Sequence, residues 1–404
     1  MKNVIIVADG MADNPIDELD GKTPLQVAET PGMDWIASNG KTGRLENVPE
    51  GLPTGSAVAI MSIIGYDPKE YFTGRGPIEA AGLDVDLEDD EVAFRCNLIT
   101  VENDRIKDYS ADHISTEESA ELFETVSEEY GDMGNYYVGI DYRHLFVVSD
   151  EDNELEDVTS YAPHKHVGEK VDDLLLEPED SDIVEKINGV VLDSPGVLSE
   201  HEVNEKRKKE GKNPANYLWV WGHGRNPAME PFQERYGLDG AIISAVKLVE
   251  GLGVCAGMDK IDVPDVTGYH DTSYENKAEY GLSALEDHDF VLIHIESPDE
   301  AGHEGDLESK IQDIENIDKK IVRKVLDELD GERFSISVMP DHPTPINIGD
   351  HTRDPVPIAV YSVDGEEDDV DSYDEDSVKE GSIGTIKGFN LMNKVVIEDS
   401  QLNP

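Results

Sequence analysis

Residues 290–303 read FVLIHIESPDEAGH: a strand-length apolar run, Phe290–Ile295, gives way at once to a polar loop bearing Glu296, Asp299 and His303. The pattern recurs where Phe334–Met339 runs into Pro340-Asp341-His342-Pro343-Thr344-Pro345. Between the two, Leu307, Ile311, Ile314, Ile321, Val325 and Leu329 mark the apolar stripe of a long amphipathic helix. Apolar runs of this length are typical of strands buried on both faces. Strand, helix, strand, with ionisable residues just past each strand, predicts a doubly wound α/β core sheet with its site at the strand carboxyl ends.

Working outward, Asn3–Ala8 is another buried strand, and it delivers Asp9-Gly10 to the same edge. Thr23–Ser38 has helical spacing broken at Pro31-Gly32. Gly51–Ser56 is a turn-rich loop, after which Ala57, Val58, Ile60, Met61 and Ile64 recur at helical intervals. The middle of the chain differs. Asp84–Tyr109 alternates like sheet, Thr116–Tyr130 reads as helix and Tyr136–Ser149 as strand. Glu177–Asp182 and Glu200–Asn213 read as charged linkers. These features predict an inserted α+β domain at 81–215 within a core formed by 1–80 and 216–404. The acidic stretch Gly365–Glu380 reads as a solvated loop.

Acidic residues number 90 against 33 basic ones, a formal charge of −57. Such a surface repels nucleic acid and anionic membranes. No run of 18 apolar residues marks a membrane span, and the first ten residues read as a strand rather than a signal peptide. Two cysteines, Cys96 and Cys255, make no disulfide framework and fit a reducing cytoplasm. Apolar periodicity opposes disorder, so the composition reads as a folded protein of a salt-rich cytoplasm. There a Debye length of about 3 Å at molar salt screens the self-repulsion.

Histidine is scarce, at twelve residues, so its placement carries weight. Asp299 and His303 stand four apart and share a face if their turn is helical. A carboxylate and an imidazole so held suit Zn²⁺ or Mn²⁺. Asp341 and His342 follow a buried strand in a proline-stiffened loop, and His351 lies shortly beyond. Asp9 ends the first strand. Ser56 opens an apolar helix whose free N–H groups and dipole favour an anion. Three Asp, three His and one Ser are an ordinary ligand count for two metals, which could activate the serine and steady a phosphoryl group in flight.

The order Asp, Ser, Asp-x-x-x-His, Asp-His, His resembles the alkaline phosphatase superfamily. The surrounding text is similar to the archaeal-type cofactor-independent phosphoglycerate mutases in Gly51–Ser56, Gly65–Pro68, Tyr71–Pro77, Phe94–Asn97, Tyr142–His144, Trp219–Pro227, Thr267–Ala278, Asp299–Gly305 and Asp341–Pro357. The resemblance implies an alkaline-phosphatase-like core with a substrate domain inserted. It implies that Ser56 is the nucleophile of a phosphoserine mechanism interconverting 3- and 2-phosphoglycerate, with no bisphosphoglycerate required. One metal would be held by Asp9, Ser56, Asp341 and His342, and a second by Asp299, His303 and His351. The ions would be Mn²⁺, Zn²⁺, Co²⁺ or Mg²⁺. Arg75, Arg95, Asn97, His113, Arg143 and Lys277 would contact the small phosphorylated substrate, with hinges near Gly74–Pro77 and Asn213–Asn216. The chain departs from the family pattern at Asp112-His113 and at Pro163-His164-Lys165. A phosphatase or another phosphotransferase of the superfamily would present the same metal ligands.

Overall fold

The computed structural model describes residues 1–178 and 181–397. The chain forms two compact units, Met1–Phe72 with the chain from Ala228 onward, and Thr73–Pro227. The first contains an eight-stranded sheet. Its order is Gly384–Lys387, Lys41–Glu46, Val356–Ser362, Phe334–Met339, Lys2–Ala8, Phe290–Ile295, Gly240–Ile243 and Asp259–Lys260. From Phe334–Met339 to the last edge all neighbours are parallel, whereas Val356–Ser362 runs antiparallel to both of its partners. The central strands are mostly apolar, and every residue in them except Lys2 is buried, as strands of parallel sheets usually are.

The long amphipathic stripe forms as Leu307–Ile317 and Arg323–Glu328, joined by a π-helical turn at Asp318–Val322. Ile314, Ile317, Ile321, Val322, Val325 and Leu329 all enter the core. Within the π turn, Asp318 accepts the Gly32 and Met33 N–H groups at 3.1 and 2.7 Å, satisfying the open start of helix Pro31–Ser38.

The second unit is built on the twelve-residue strand Glu91–Glu102. It pairs antiparallel with Arg105–Asp108, Arg143–Ser149 and Tyr217–Gly224, and Asn135–Ile140 completes a hairpin with Arg143–Ser149. Helices Thr116–Tyr130 and Asp182–Asp193 bury their apolar faces in its core. The expected boundaries at 81 and 215 lie inside this unit. The helix Arg75–Gly82 packs on the long strand, where Gly76 lets its backbone meet the Ala93 carbonyl. Both anticipated hinge segments lie inside the unit as well. Asn213–Asn216 is pinned by Ala215 N–H to Asn204 Oδ1 at 2.8 Å and Asn216 Nδ2 to the Val101 carbonyl at 3.0 Å.

Three charged stretches are more ordered than their composition indicates. Glu200–Asn213 is not a linker, because it contains the helix Glu202–Lys209. That helix is anchored by Val203 and by Arg207, a fully buried side chain bonded to Glu118 and to the Ala111 and Asn213 carbonyls. In Glu177–Asp182, Glu177 bridges to Thr159 and Asp182 begins a helix, while Glu179 and Asp180 lie outside the described residues. Gly365–Glu380 is not merely a solvated loop either. Val370, Tyr373 and Val378 are buried, and Glu375 accepts Asp13 N–H at 3.1 Å and Thr23 Oγ1–H at 2.6 Å. Three apolar anchors outweigh the acidity around them.

Candidate metal centre

Val7 is in register with both His294 and Met339, so three parallel strands end level. Asp9, Glu296 and Asp341 therefore leave the sheet at neighbouring points. The helix Ser297–Glu304, opened by Pro298, carries Asp299 and His303 on one face. Gly10, at φ +62°, allows this helix to come close. A Cβ there would lie 2.5 Å from Asp299 Oδ1 and 2.6 Å from its Cα. Ser56 begins the buried helix Ser56–Ile63 and follows Gly55, whose φ of +147° turns the chain into it.

The structure brings all seven candidate ligands together. Ser56 Oγ donates to Asp9 Oδ2 at 3.1 Å and lies 3.4 Å from His342 Nε2. His342 Nε2 is 3.6 Å from Asp9 Oδ1 and 3.4 Å from Asp341 Oδ2. His303 Nε2 is 3.1 Å from Asp299 Oδ2, and His351 Nε2 is 3.4 Å from Asp299 Oδ1. The Nε2 atoms of His303 and His351 approach to 2.9 Å, and the rings of His342 and His351 have centroids 4.0 Å apart. Asp9 and Asp341 are fully buried, and His342 and Asp299 nearly so. Asp341 Oδ1 is spent on Gly10 N–H and His342 N–H, and Thr344 Oγ1 donates to Asp299.

So many carboxylates in a dry pocket strain one another. Burial, then Asp341, Glu296 and Asp299, push the Asp9 carboxyl well above its ordinary range. Burial and then Asp299 push Glu296 up to about 8. Asp299 is held well below its usual value, since hydrogen bonds from His303 and His351 outweigh the effect of burial. His303 in turn rises to about 9 despite burial, because it faces Asp299. Three buried carboxylate oxygens, Asp9 Oδ1, Glu296 Oε2 and Asp341 Oδ2, have no hydrogen-bond partner among the described residues. Unpaired buried anions are costly, and converging imidazole nitrogens offer lone pairs, so the donor set fits divalent cations. Asp299, His303 and His351 form one ion-sized group, and Asp9, Asp299 and His342 another, each with ligand atoms within 4.8 Å.

A third such group, Asp9, His294 and Glu296, involves two residues that the sequence reading does not assign. Their signals were an imidazole inside an apolar strand and a carboxylate at that strand's exit. Lys277 is fully buried in the core unit, with Nζ donating to the His294 carbonyl at 2.8 Å. Burial lowers it to about 8.

In the second unit, Arg75 and Arg95 both stack on Trp221, with guanidinium carbons 5.6 and 4.7 Å from the ring. They share Glu79 as counter-ion, at 4.0 and 3.1 Å. Asn97 Oδ1 accepts Trp221 Nε1–H at 3.2 Å. Trp221, unassigned from sequence, is thus the platform of this cluster. Arg143 lies over the Tyr142 ring at 5.2 Å and is half exposed. His113 faces the same ring at 6.3 Å and ends three successive left-handed residues, Ala111, Asp112 and His113. Such a run in non-glycine residues is strained. It is held by Arg207 on the Ala111 carbonyl and by Asp108 Oδ2 accepting Asp112 N–H at 2.7 Å.

Residues 37–204 match the family model described as 2,3-bisphosphoglycerate-independent phosphoglycerate mutase. The chain is 51% identical to a Methanothermobacter thermautotrophicus protein named 2,3-bisphosphoglycerate-independent phosphoglycerate mutase 2, over 97% of this chain and 96% of that one. A Methanosarcina acetivorans mutase is 50% identical, over 98% and 100%. Among solved structures, a Pyrococcus horikoshii protein superposes with TM-score 0.83 at 31% identity, covering 98% of this chain and 96% of the other. A cofactor-independent phosphoglycerate mutase from Thermoplasma acidophilum gives 0.67 at 32%, covering 98% and 99%. Near-full-length identity of this order reaches well beyond the metal-type residues into both units, and on that ground the chain belongs to the 2,3-bisphosphoglycerate-independent phosphoglycerate mutases.

Proposed function

We propose that this chain interconverts 3-phosphoglycerate and 2-phosphoglycerate through a phosphoserine on Ser56. The observation that carries the reading is Ser56 Oγ at the start of an apolar helix, within hydrogen-bond reach of Asp9 and beside His342. Asp9, Ser56, Asp341 and His342 would hold one divalent ion, and Asp299, His303 and His351 another. When bound, such ions supply Lewis acidity and favour the serine alkoxide. Mn²⁺, Zn²⁺, Co²⁺ and Mg²⁺ are the candidates that this mixed nitrogen and oxygen set accepts.

The residues of the chain then have separable tasks. Asp9 Oδ2 orients the Ser56 hydroxyl, and the helix N-terminus favours negative charge on Oγ. Oγ gives up its proton and attacks phosphorus, the bond from phosphorus to the C3 oxygen breaks, and the C3 oxygen takes up a proton in exchange. Glycerate re-orients, its C2 hydroxyl attacks the phosphoserine, and Ser56 is regenerated. Arg75, Arg95, Asn97, His113, Arg143 and Lys277 are assigned to binding the trianionic substrate, for which paired guanidinium groups are suited. The acidic composition supports a salt-rich cytoplasm as the working environment. Among the described residues no helix is long and apolar enough to cross a membrane.

The test is incubation of metal-loaded protein with 3-phosphoglycerate. Appearance of 2-phosphoglycerate without nucleotide or bisphosphoglycerate is the expected result, and release of free phosphate alone would identify a phosphatase instead. Intact mass of protein quenched with substrate should show a phosphate adduct that Ser56→Ala lacks, with turnover lowered at least about a thousandfold.

A further inference from the structure

His294 is the one ionisable side chain in the Phe290–Ile295 strand, and it is fully buried. It pairs in register with Val7, and Asp9 lies two residues beyond Val7 on the same face of the sheet. Ile293 pairs with Ile243 on the other side, which brings Ser244 alongside His294. Both ring nitrogens are thereby engaged. Nε2 is 2.9 Å from Asp9 Oδ2, and Nδ1 is 3.0 Å from Ser244 Oγ. Once Asp9 is ionised, as a metal ligand must be, its oxygen can only accept, so Nε2 carries the hydrogen. Nδ1 of the neutral ring is then an acceptor, and the Ser244 hydroxyl hydrogen meets it. Ser244 Oγ in turn accepts Val246 N–H at 2.9 Å, which fixes the rotor.

We propose that Ser244 and His294 form a positioning relay for Asp9, and that His294 is a hydrogen-bond donor and not a metal ligand. This rests on the reading of Asp9 as a ligand. A protonated Nε2 has no lone pair to offer a cation, although His294, Asp9 and Glu296 are close enough to hold one. Two donors, Ser56 Oγ and His294 Nε2, converge on Asp9 Oδ2. Oδ1, buried and without a hydrogen-bond partner among the described residues, is left as the cation-facing atom. The relay thus divides the two oxygens of one carboxylate between the protein and the metal. Orienting partners of this kind commonly change metal affinity about 10–100-fold.

The experiment has a metal-independent arm. Nitrogen spectra of isotope-labelled histidine in metal-free wild type, at a pH high enough to ionise Asp9 and assigned with His294→Gln, should show His294 protonated at Nε2 and bare at Nδ1. That pattern should persist in cadmium-loaded protein, with cadmium–nitrogen coupling at His342, His303 and His351 and none at His294. In the second arm, calorimetric titration with Mn²⁺ should show Ser244→Ala and His294→Leu binding about 10–100-fold more weakly than wild type. His294→Gln, which keeps an N–H donor, should recover most of that loss. Coupling of cadmium to His294, a hydrogen on Nδ1, or wild-type affinity in both Ser244→Ala and His294→Leu would overturn the relay. Wild type that binds no divalent ion would overturn the metal reading, and the spectra would still decide whether His294 is the donor.

Discussion

Lys310→Met tests how the chain holds the loop of its candidate metal ligands from behind. Lys310 Nζ lies 2.7 Å from Asp13 Oδ2, and both side chains are wholly buried. At that distance the attraction is about 6 kcal/mol with an effective dielectric near 20. Desolvating two ions costs a comparable amount, so the intact pair contributes little net stability. Removing the lysine alone is different. Asp13 would keep its hydrogen bonds from Ile346 N–H at 3.1 Å and Asn14 N–H at 2.8 Å and lose the one ion-pair partner it has among the described residues. The expected cost is about 3–5 kcal/mol, or roughly 6–20 °C in Tm for a unit of this size. Lys310 also donates to the Thr344 carbonyl at 2.8 Å, and the Thr344 hydroxyl bonds Asp299. Mn²⁺ affinity should therefore fall about tenfold or more as well. Urea unfolding in molar potassium chloride, followed by near-ultraviolet circular dichroism, measures the first effect, and calorimetry measures the second. Lys310→Met combined with Asp13→Asn removes the stranded charge and keeps an acceptor for Ile346. The double variant should regain at least about 2 kcal/mol over the single one. Strict additivity, or a loss below about 1 kcal/mol in Lys310→Met, would refute the reasoning.

Gly10→Ala forces a left-handed residue and places a methyl against Asp299; a cost of about 1–3 kcal/mol and weakened metal binding are expected from melting curves with and without Mn²⁺. Trp221→Leu removes the platform under Arg75 and Arg95, worth up to about 2 kcal/mol where desolvated, so KM for 3-phosphoglycerate should rise about tenfold while kcat changes less. Burial raises Asp318 to about 6 from 3.8. Because the folded value lies above the unfolded one, its protonated form contributes stability that is complete below pH 3.8 and lost as pH rises through about 6. The stability of wild type minus that of Asp318→Asn should fall by about 3 kcal/mol across that window, and a difference that rises with pH would contradict the assignment. With a formal charge of −57 and a trianionic substrate, turnover should climb with potassium chloride into the molar range; a maximum in salt-free buffer with an intact fold would contradict this.

Much of the core was written locally. Phe290–Ile295 and Phe334–Met339 could be bounded to the residue, because strands buried on both faces are apolar at most positions, with His294, Ser335 and Ser337 the exceptions. Asp299 and His303 were legible for a similar reason, since helical spacing alone sets them on one face. The charged and irregular parts were not. Glu202–Lys209 owes its helix to the burial of Arg207 among carbonyls and Glu118, contacts up to 96 residues away in the chain. Gly365–Glu380 is held by Tyr373 and Glu375 on distant partners. The division of labour around Asp9 lay deepest. His294 looks like one polar letter in an apolar strand, and only strand register puts it beside Asp9 and Ser244. Periodicity in a chain reports which face a residue takes. Which groups meet across that face depends on the order and stagger of strands far apart in sequence, and hydrogen-bond roles follow from that meeting.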